Sequence, residues 1–130
     1  EIDEVFLLTD VDEFYKQLQD ILSSKSNDDI GRWIISNPCF EIWLYYCYKN
    51  DPNNDLDCIT SFSTDKRSQE LKRCCNEIVK GGLNGKYAFN HMDEGIRNSL
   101  KHYNEDNNGI PVLFATQMHK MAQCIIDKLK

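Results

Sequence analysis

Two aspartates separated by a single residue, Asp10 and Asp12, follow the short apolar run Val5-Phe6-Leu7-Leu8. Carboxylates so spaced on an extended turn can face one space. A small hard dication such as Mg²⁺ takes a few carboxylate oxygens together with waters and phosphate. Mg²⁺ or Mn²⁺ held there would bridge an acidic protein to an anionic substrate. A plainer role competes. Asp12 directly before a helix would cap it, its carboxylate accepting from free backbone amides at the positive end of the helix dipole.

A second group is Ser36-Asn37-Pro38-Cys39-Phe40-Glu41-Ile42-Trp43. Ser36 and Asn37 are candidates to hydrogen-bond a phosphate at a helix N-terminus. The alternative is that Asn37 caps the helix and Pro38 occupies its first position. Glu41 stands alone as a charge in an otherwise apolar helix, where a carboxylate costs free energy unless it has a partner or a metal. It is therefore a candidate third carboxylate beside Asp10 and Asp12, both as a metal ligand and as the catalytic residue. A structural salt bridge or backbone contact is the competing account. Lys86, Lys101 and His119 are isolated and read as surface groups rather than phosphate contacts. Trp43, Tyr45 and Tyr46 read as core rather than as a base-stacking platform.

The elements that must position these residues come from the apolar pattern. The unbroken run 5–8 predicts a central parallel strand buried on both faces, and 33–35 predicts a second strand. Amphipathic stripes predict helices over 13–24, 64–80, 90–104 and 116–129. The helix over 64–80 is expected to stop at Gly81-Gly82, and the last one carries Lys128 and Lys130 suitably at its C-terminal end. The stretch 38–48 is apolar nearly all round and predicts a buried helix. Residues 23–29 read as a polar break and 49–63 as a polar loop. Ligands of an open parallel sheet bind beyond the carboxyl ends of its strands, so the loops after both strands are expected to be neighbours there. The order is that of an α/β domain with a parallel-sheet core and a helix-rich C-terminal half. Because a stable sheet normally needs three or more strands, either further N-terminal strands are expected upstream of Glu1 or the apolar pattern misses strands within the chain.

The chain of 130 residues is long enough for one domain with a real core. Its formal net charge of −6 argues against a surface that coats nucleic acid indiscriminately, but not against a metal-dependent nuclease. No stretch has the length and apolar character of a membrane span or signal peptide, which predicts a cytoplasmic protein with no membrane partner. Of the six cysteines, all but Cys58 fall in predicted helices, so they read as free thiols; with no CxxC, a structural zinc site is not expected.

The segment Leu7-Leu8-Thr9-Asp10-Val11-Asp12-Glu13 followed by Ser36-Asn37-Pro38-Cys39-Phe40-Glu41-Ile42-Trp43-Leu44 resembles the RloB-like family of prokaryotic defence-associated proteins. Ala115-Thr116-Gln117-Met118-His119-Lys120-Met121 resembles that family's closing segment, so the similarity spans most of the chain. The resemblance implies a Toprim-like domain and Mg²⁺-dependent cleavage of phosphodiesters, with Asp10 and Asp12 holding the metal. It further implies a nucleic acid substrate, an ATPase partner protein and a role in phage defence or abortive infection. The glutamate that such domains carry on their first strand has no counterpart here. Where the family often shows a histidine after the tryptophan, this chain reads Leu44-Tyr45-Tyr46-Cys47-Tyr48. These departures define the alternative: a noncatalytic Toprim-like module that engages a partner ATPase.

Overall fold

The computed structural model describes residues 5–24 and 31–129, so most of the expected polar break, residues 25–29, and Lys130 lie outside the described residues. Strand β1 (Val5–Asp10) pairs in parallel with β2 (Gly31–Ser36), Val5 lying opposite Gly31 and Asp10 opposite Ser36. Parallel neighbours cannot be joined by a tight turn, and helix α1 (Tyr15–Ser23) forms part of the crossover. Successive side chains of β2 alternate between faces. Ile34 joins Trp43, Cys47, Met118 and Ala122 on one side, while Ile35 joins Val11, Leu18 and Ile110 on the other.

The other edge of β2 is occupied. Asn37 N–H donates to the Ala115 carbonyl at 2.9 Å, Phe114 N–H to the Asn37 carbonyl at 2.8 Å, and Gln117 N–H to the Ile35 carbonyl at 2.9 Å. The Gln117 side chain completes the pairing by accepting from Ile35 N–H at 3.1 Å. Ser36 and Thr116 form an antiparallel bridge, so the stretch 114–117 serves as a short substitute for a third strand. This corrects the expected helix over 116–129: helix α7 runs Met118–Leu129, and Thr116 is spent on the sheet edge.

The expectation of a fully buried β1 is also corrected. Val5, Leu7 and Leu8 keep 40%, 40% and 49% of their surface exposed, because among the described residues β1 has β2 as its sole strand partner.

Helix α2 (Glu41–Tyr48) is buried as its composition predicts, with Ile42, Trp43, Tyr45, Tyr46 and Cys47 all inside. The two tyrosine hydroxyls have partners: Tyr45 donates to Asp55 at 2.6 Å and Tyr46 to the Phe114 carbonyl at 2.7 Å. The predicted polar loop 49–63 instead contains helix α3 (Pro52–Asp55) and a 3₁₀ turn (Asp57–Ser61). Polar composition hid two apolar anchors there, Leu56 and Ile59, which are fully buried against Ile42 and Leu71. Helices α4 (Thr64–Ile78), α5 (Gly85–Asn90) and α6 (Met92–Lys101) complete the chain's helical half. α4 and α6 are each shorter than the predicted 64–80 and 90–104, and α5 occupies a stretch for which the apolar pattern predicts no separate helix.

Helix α6 packs closely on α2 because Gly95 has no side chain. A methyl group there would lie 2.6 Å from Cys47 Sγ and 2.7 Å from the Trp43 ring. Gly95→Ala adds helix propensity worth about 1 kcal/mol, but overpacking against a buried ring costs about 1–3 kcal/mol. We expect Gly95→Ala to lower the melting temperature in thermal denaturation, whereas an increase would show that the two helices separate freely.

Candidate functional site

The loop after β1 is tied to the loop after β2. Val11 N–H donates to the Ser36 carbonyl and Asp12 N–H to the Pro38 carbonyl, each at 2.9 Å. The two loops are therefore neighbours at the carboxyl edge of the sheet, as the sequence predicts. Asp12 takes a left-handed backbone conformation, φ 44°, which aspartate tolerates better than most residues. The chain then makes one more turn before α1 begins at Tyr15. Asp12 is consequently not the helix cap: the cap position is Phe14, and no side chain caps that end.

Asp10 and Asp12 both line a cavity of about 370 Å³, shared with Ser36, Phe14, Phe40 and Met118. Burial, followed by repulsion from Asp12, holds the Asp10 carboxyl above its usual range, against a hydrogen bond from the Phe40 backbone N–H. Burial likewise raises Asp12, with Glu13 and Glu41 adding to the rise and Lys72 opposing it. Asp12 Oδ1 also accepts from the Ser68 hydroxyl. Two partly desolvated carboxylates sharing one space is an arrangement that a dication relieves.

The other expected site residues are distributed around this pair. Ser36 lines the same cavity but is only 2% exposed, and its hydroxyl is engaged with Thr116 Oγ1 at 2.7 Å. Asn37 does not cap a helix, because its side chain donates to the Pro111 carbonyl at 2.9 Å and its backbone belongs to the sheet edge. Pro38 is accordingly not a first helical residue, and α2 starts only at Glu41, with Phe40 at the cap position and no side-chain cap. Cys39 thus precedes the helix; burial pushes its thiol up to about 12, so it stays neutral at physiological pH. Asn37 borders a second cavity of about 240 Å³ with Asp12, Thr64 and Arg67, leaving Asp12 between the two. Glu41 opens on a smaller cavity of about 150 Å³ beside Lys72 and Asn76, while its charge reaches both aspartates. Among the described residues, no three His, Cys, Asp or Glu side chains converge closely enough to hold one metal ion together. Lys86 and Lys101 are exposed. His119 is half-buried, with Nδ1 3.0 Å from the Thr116 carbonyl, and burial holds its imidazole below the usual range.

Sequence reasoning missed the contribution of α4. Ser68 and Lys72 lie one turn apart, so they share a face, and that face looks toward the carboxylates while Leu71, Cys74 and Cys75 enter the core. The signal was present as the polar spacing Thr64, Ser68, Lys72 along one border of the apolar stripe.

A family model described as RloB-like protein matches residues 1–125. The chain belongs to the RloB-like family. No curated protein and no solved structure matches it. Family membership places both motif segments of this RloB-like chain, at Asp10 and Asp12 and at residues 36–44, inside the matched region. Among the described residues no helix is long and apolar enough to cross a membrane.

Each aspartate binds its proton more tightly in the folded than in the unfolded chain. Stability therefore falls as pH rises from the usual value of 3.8 through the raised folded values, and stays reduced above them. Asp10→Asn removes one of the crowded charges. We expect the metal-free variant to be more stable than wild type at pH 7 by about 0.5–2 kcal/mol. The difference should shrink toward zero below pH 4 in chemical denaturation; a variant less stable at pH 7 would instead assign Asp10 a structural role.

Proposed function

We propose that this RloB-like chain is a Mg²⁺-dependent, phosphodiester-cleaving domain with a Toprim-like core, acting in a prokaryotic phage-defence or abortive-infection system. The observation that carries the reading is the pairing of Asp10 and Asp12 in one cavity at the carboxyl edge of a parallel sheet. These two residues supply hard oxygen donors, and their raised proton affinity reflects burial, with added repulsion from neighbouring carboxylates that a dication would relieve, so the donor set fits Mg²⁺ or Mn²⁺. The bound ion would supply charge neutralisation at a scissile phosphate and a more acidic water.

The chain's own residues do the rest. Ser68 orients the Asp12 carboxylate through its hydroxyl. The Phe40 backbone N–H holds Asp10. Glu41 and Lys72 flank the pair with opposite charges, Glu41 as the candidate catalytic carboxylate and Lys72 as a cation within reach of an anionic substrate. On this reading Asn37 faces the substrate from the second cavity, beside Arg67. Ser36 contributes through the wall of the first. Nucleic acid is the substrate class, and an ATPase is the partner protein.

The noncatalytic module that engages an ATPase is favoured by one observation: no third carboxylate converges on Asp10 and Asp12 among the described residues. Calorimetric titration with Mn²⁺ separates the two readings. We expect wild type to bind the ion and to cleave single- or double-stranded nucleic acid in its presence, and the Asp10→Asn/Asp12→Asn double variant to do neither. Absence of binding in wild type would favour the noncatalytic module. For Glu41, we expect Glu41→Gln to weaken Mn²⁺ binding about tenfold, the usual scale for a group that supports metal ligands. Unchanged affinity with a lowered melting temperature would make Glu41 a structural residue.

A further inference from the structure

Cys58 and Cys74 lie apart from the carboxylate site. Cys58 is exposed on the 3₁₀ turn, Cys74 is 6% exposed on α4, and their sulfur atoms are 3.4 Å apart. The turn is already docked on α4: the Arg67 Nε donates to the Phe62 carbonyl at 3.0 Å and its Nη2 to the Thr60 carbonyl at 3.2 Å. Ile59 is buried between them, in one cluster with Leu71 and Cys75. The two thiols are thus held in contact by packing that does not depend on a bond between them. They are 16 residues apart in the chain, so a bond between them would close a loop across the turn and most of α4.

We propose that Cys58 and Cys74 form an oxidisable dithiol, a modification site at which Cys58 captures a small disulfide oxidant and Cys74 resolves it. The exposed Cys58 thiolate attacks one sulfur of a low-molecular-weight disulfide such as oxidised glutathione, forming a mixed disulfide and releasing one glutathione thiolate. Cys74 then loses its proton, and its thiolate attacks the Cys58 sulfur and expels the second glutathione thiolate. Two protein thiols are oxidised, and one disulfide of the oxidant is reduced to two thiols. Burial, together with the neighbouring Cys58, pushes the Cys74 thiol up to about 11, so little of it is thiolate at neutral pH and its contact with Cys58 is what makes resolution feasible. The thiols of Cys39, Cys47 and Cys75 are buried and shielded from the oxidant. Cys124 is partly exposed and needs a control of its own.

The test incubates the native protein with oxidised glutathione, blocks remaining thiols with iodoacetamide under denaturing conditions, and maps the peptides by mass spectrometry. The expected result is a crosslinked peptide joining Cys58 to Cys74, with the other four of the six cysteines alkylated in wild type, and the same crosslink in Cys124→Ser. The melting temperature should rise and return to its starting value on reduction with dithiothreitol. Cys58→Ser should leave no crosslink. The proposal is overturned if all six thiols are alkylated. It is equally overturned if Cys58 stops at the glutathione mixed disulfide while Cys74 stays free, or if Cys58→Ser still loses two thiols.

Discussion

The backbone hydrogen bonds that join the loop after β1 to the loop after β2 set both the shape of the carboxylate site and the start of the helices around it. Val11 and Asp12 donate to Ser36 and Pro38, extending the interstrand pairing past the last residues of the sheet. With its amide committed there, Asp12 turns through a left-handed conformation, and its carboxylate stays beside Asp10 at the mouth of the sheet instead of capping α1. The same bonds delay α2 until Glu41, which leaves the Phe40 N–H facing Asp10. Side chains at the end of a parallel sheet are positioned by two elements at once, which is why such edges recur as binding sites.

Electrostatics at this edge works against the stability of the metal-free chain. Burial raises the proton affinity of both aspartates, repulsion from neighbouring carboxylates adds to it, and Lys72 from α4 offsets only part of that. Outside the site the chain shows little such tension: among the described residues, no buried side-chain nitrogen or oxygen lacks a hydrogen-bond partner. Local tension concentrated where chemistry is proposed, with satisfied polar groups elsewhere, is the distribution expected when binding is traded against stability.

The helical half of the fold is organised by α2. An apolar helix can be covered on all sides only if its neighbours come close, and Gly95 allows α6 to approach Trp43 and Cys47 within the space a methyl group would need. On the sheet side, the stretch 114–117 closes the outer edge of β2, with the Gln117 amide oxygen acting where a strand carbonyl would. β1 has no equivalent cover among the described residues, and its apolar side chains remain substantially exposed.

By itself the sequence determined the features that depend on local composition. The apolar run 5–8 lies in a parallel strand, the stretch 38–48 contains a buried helix, and two motif segments identify the RloB-like family. The neighbourhood of the two loops was also legible, because βαβ topology leaves one carboxyl edge. Tertiary structure alone decided where the helices begin and which residues join the carboxylates. Asn37 looks like a helix-starting residue until its side-chain amide is taken by Pro111, 74 positions away. Thr116 accepts from the Met118 N–H at the start of α7 but stays outside the helix, because its backbone bridges Ser36 at the sheet edge. Ser68 and Lys72 enter the site only because α4 presents their face to it, and Leu56 and Ile59 order a polar loop only because a core is there to receive them. Local pattern records what a residue prefers, whereas these outcomes turn on which distant group satisfies it first.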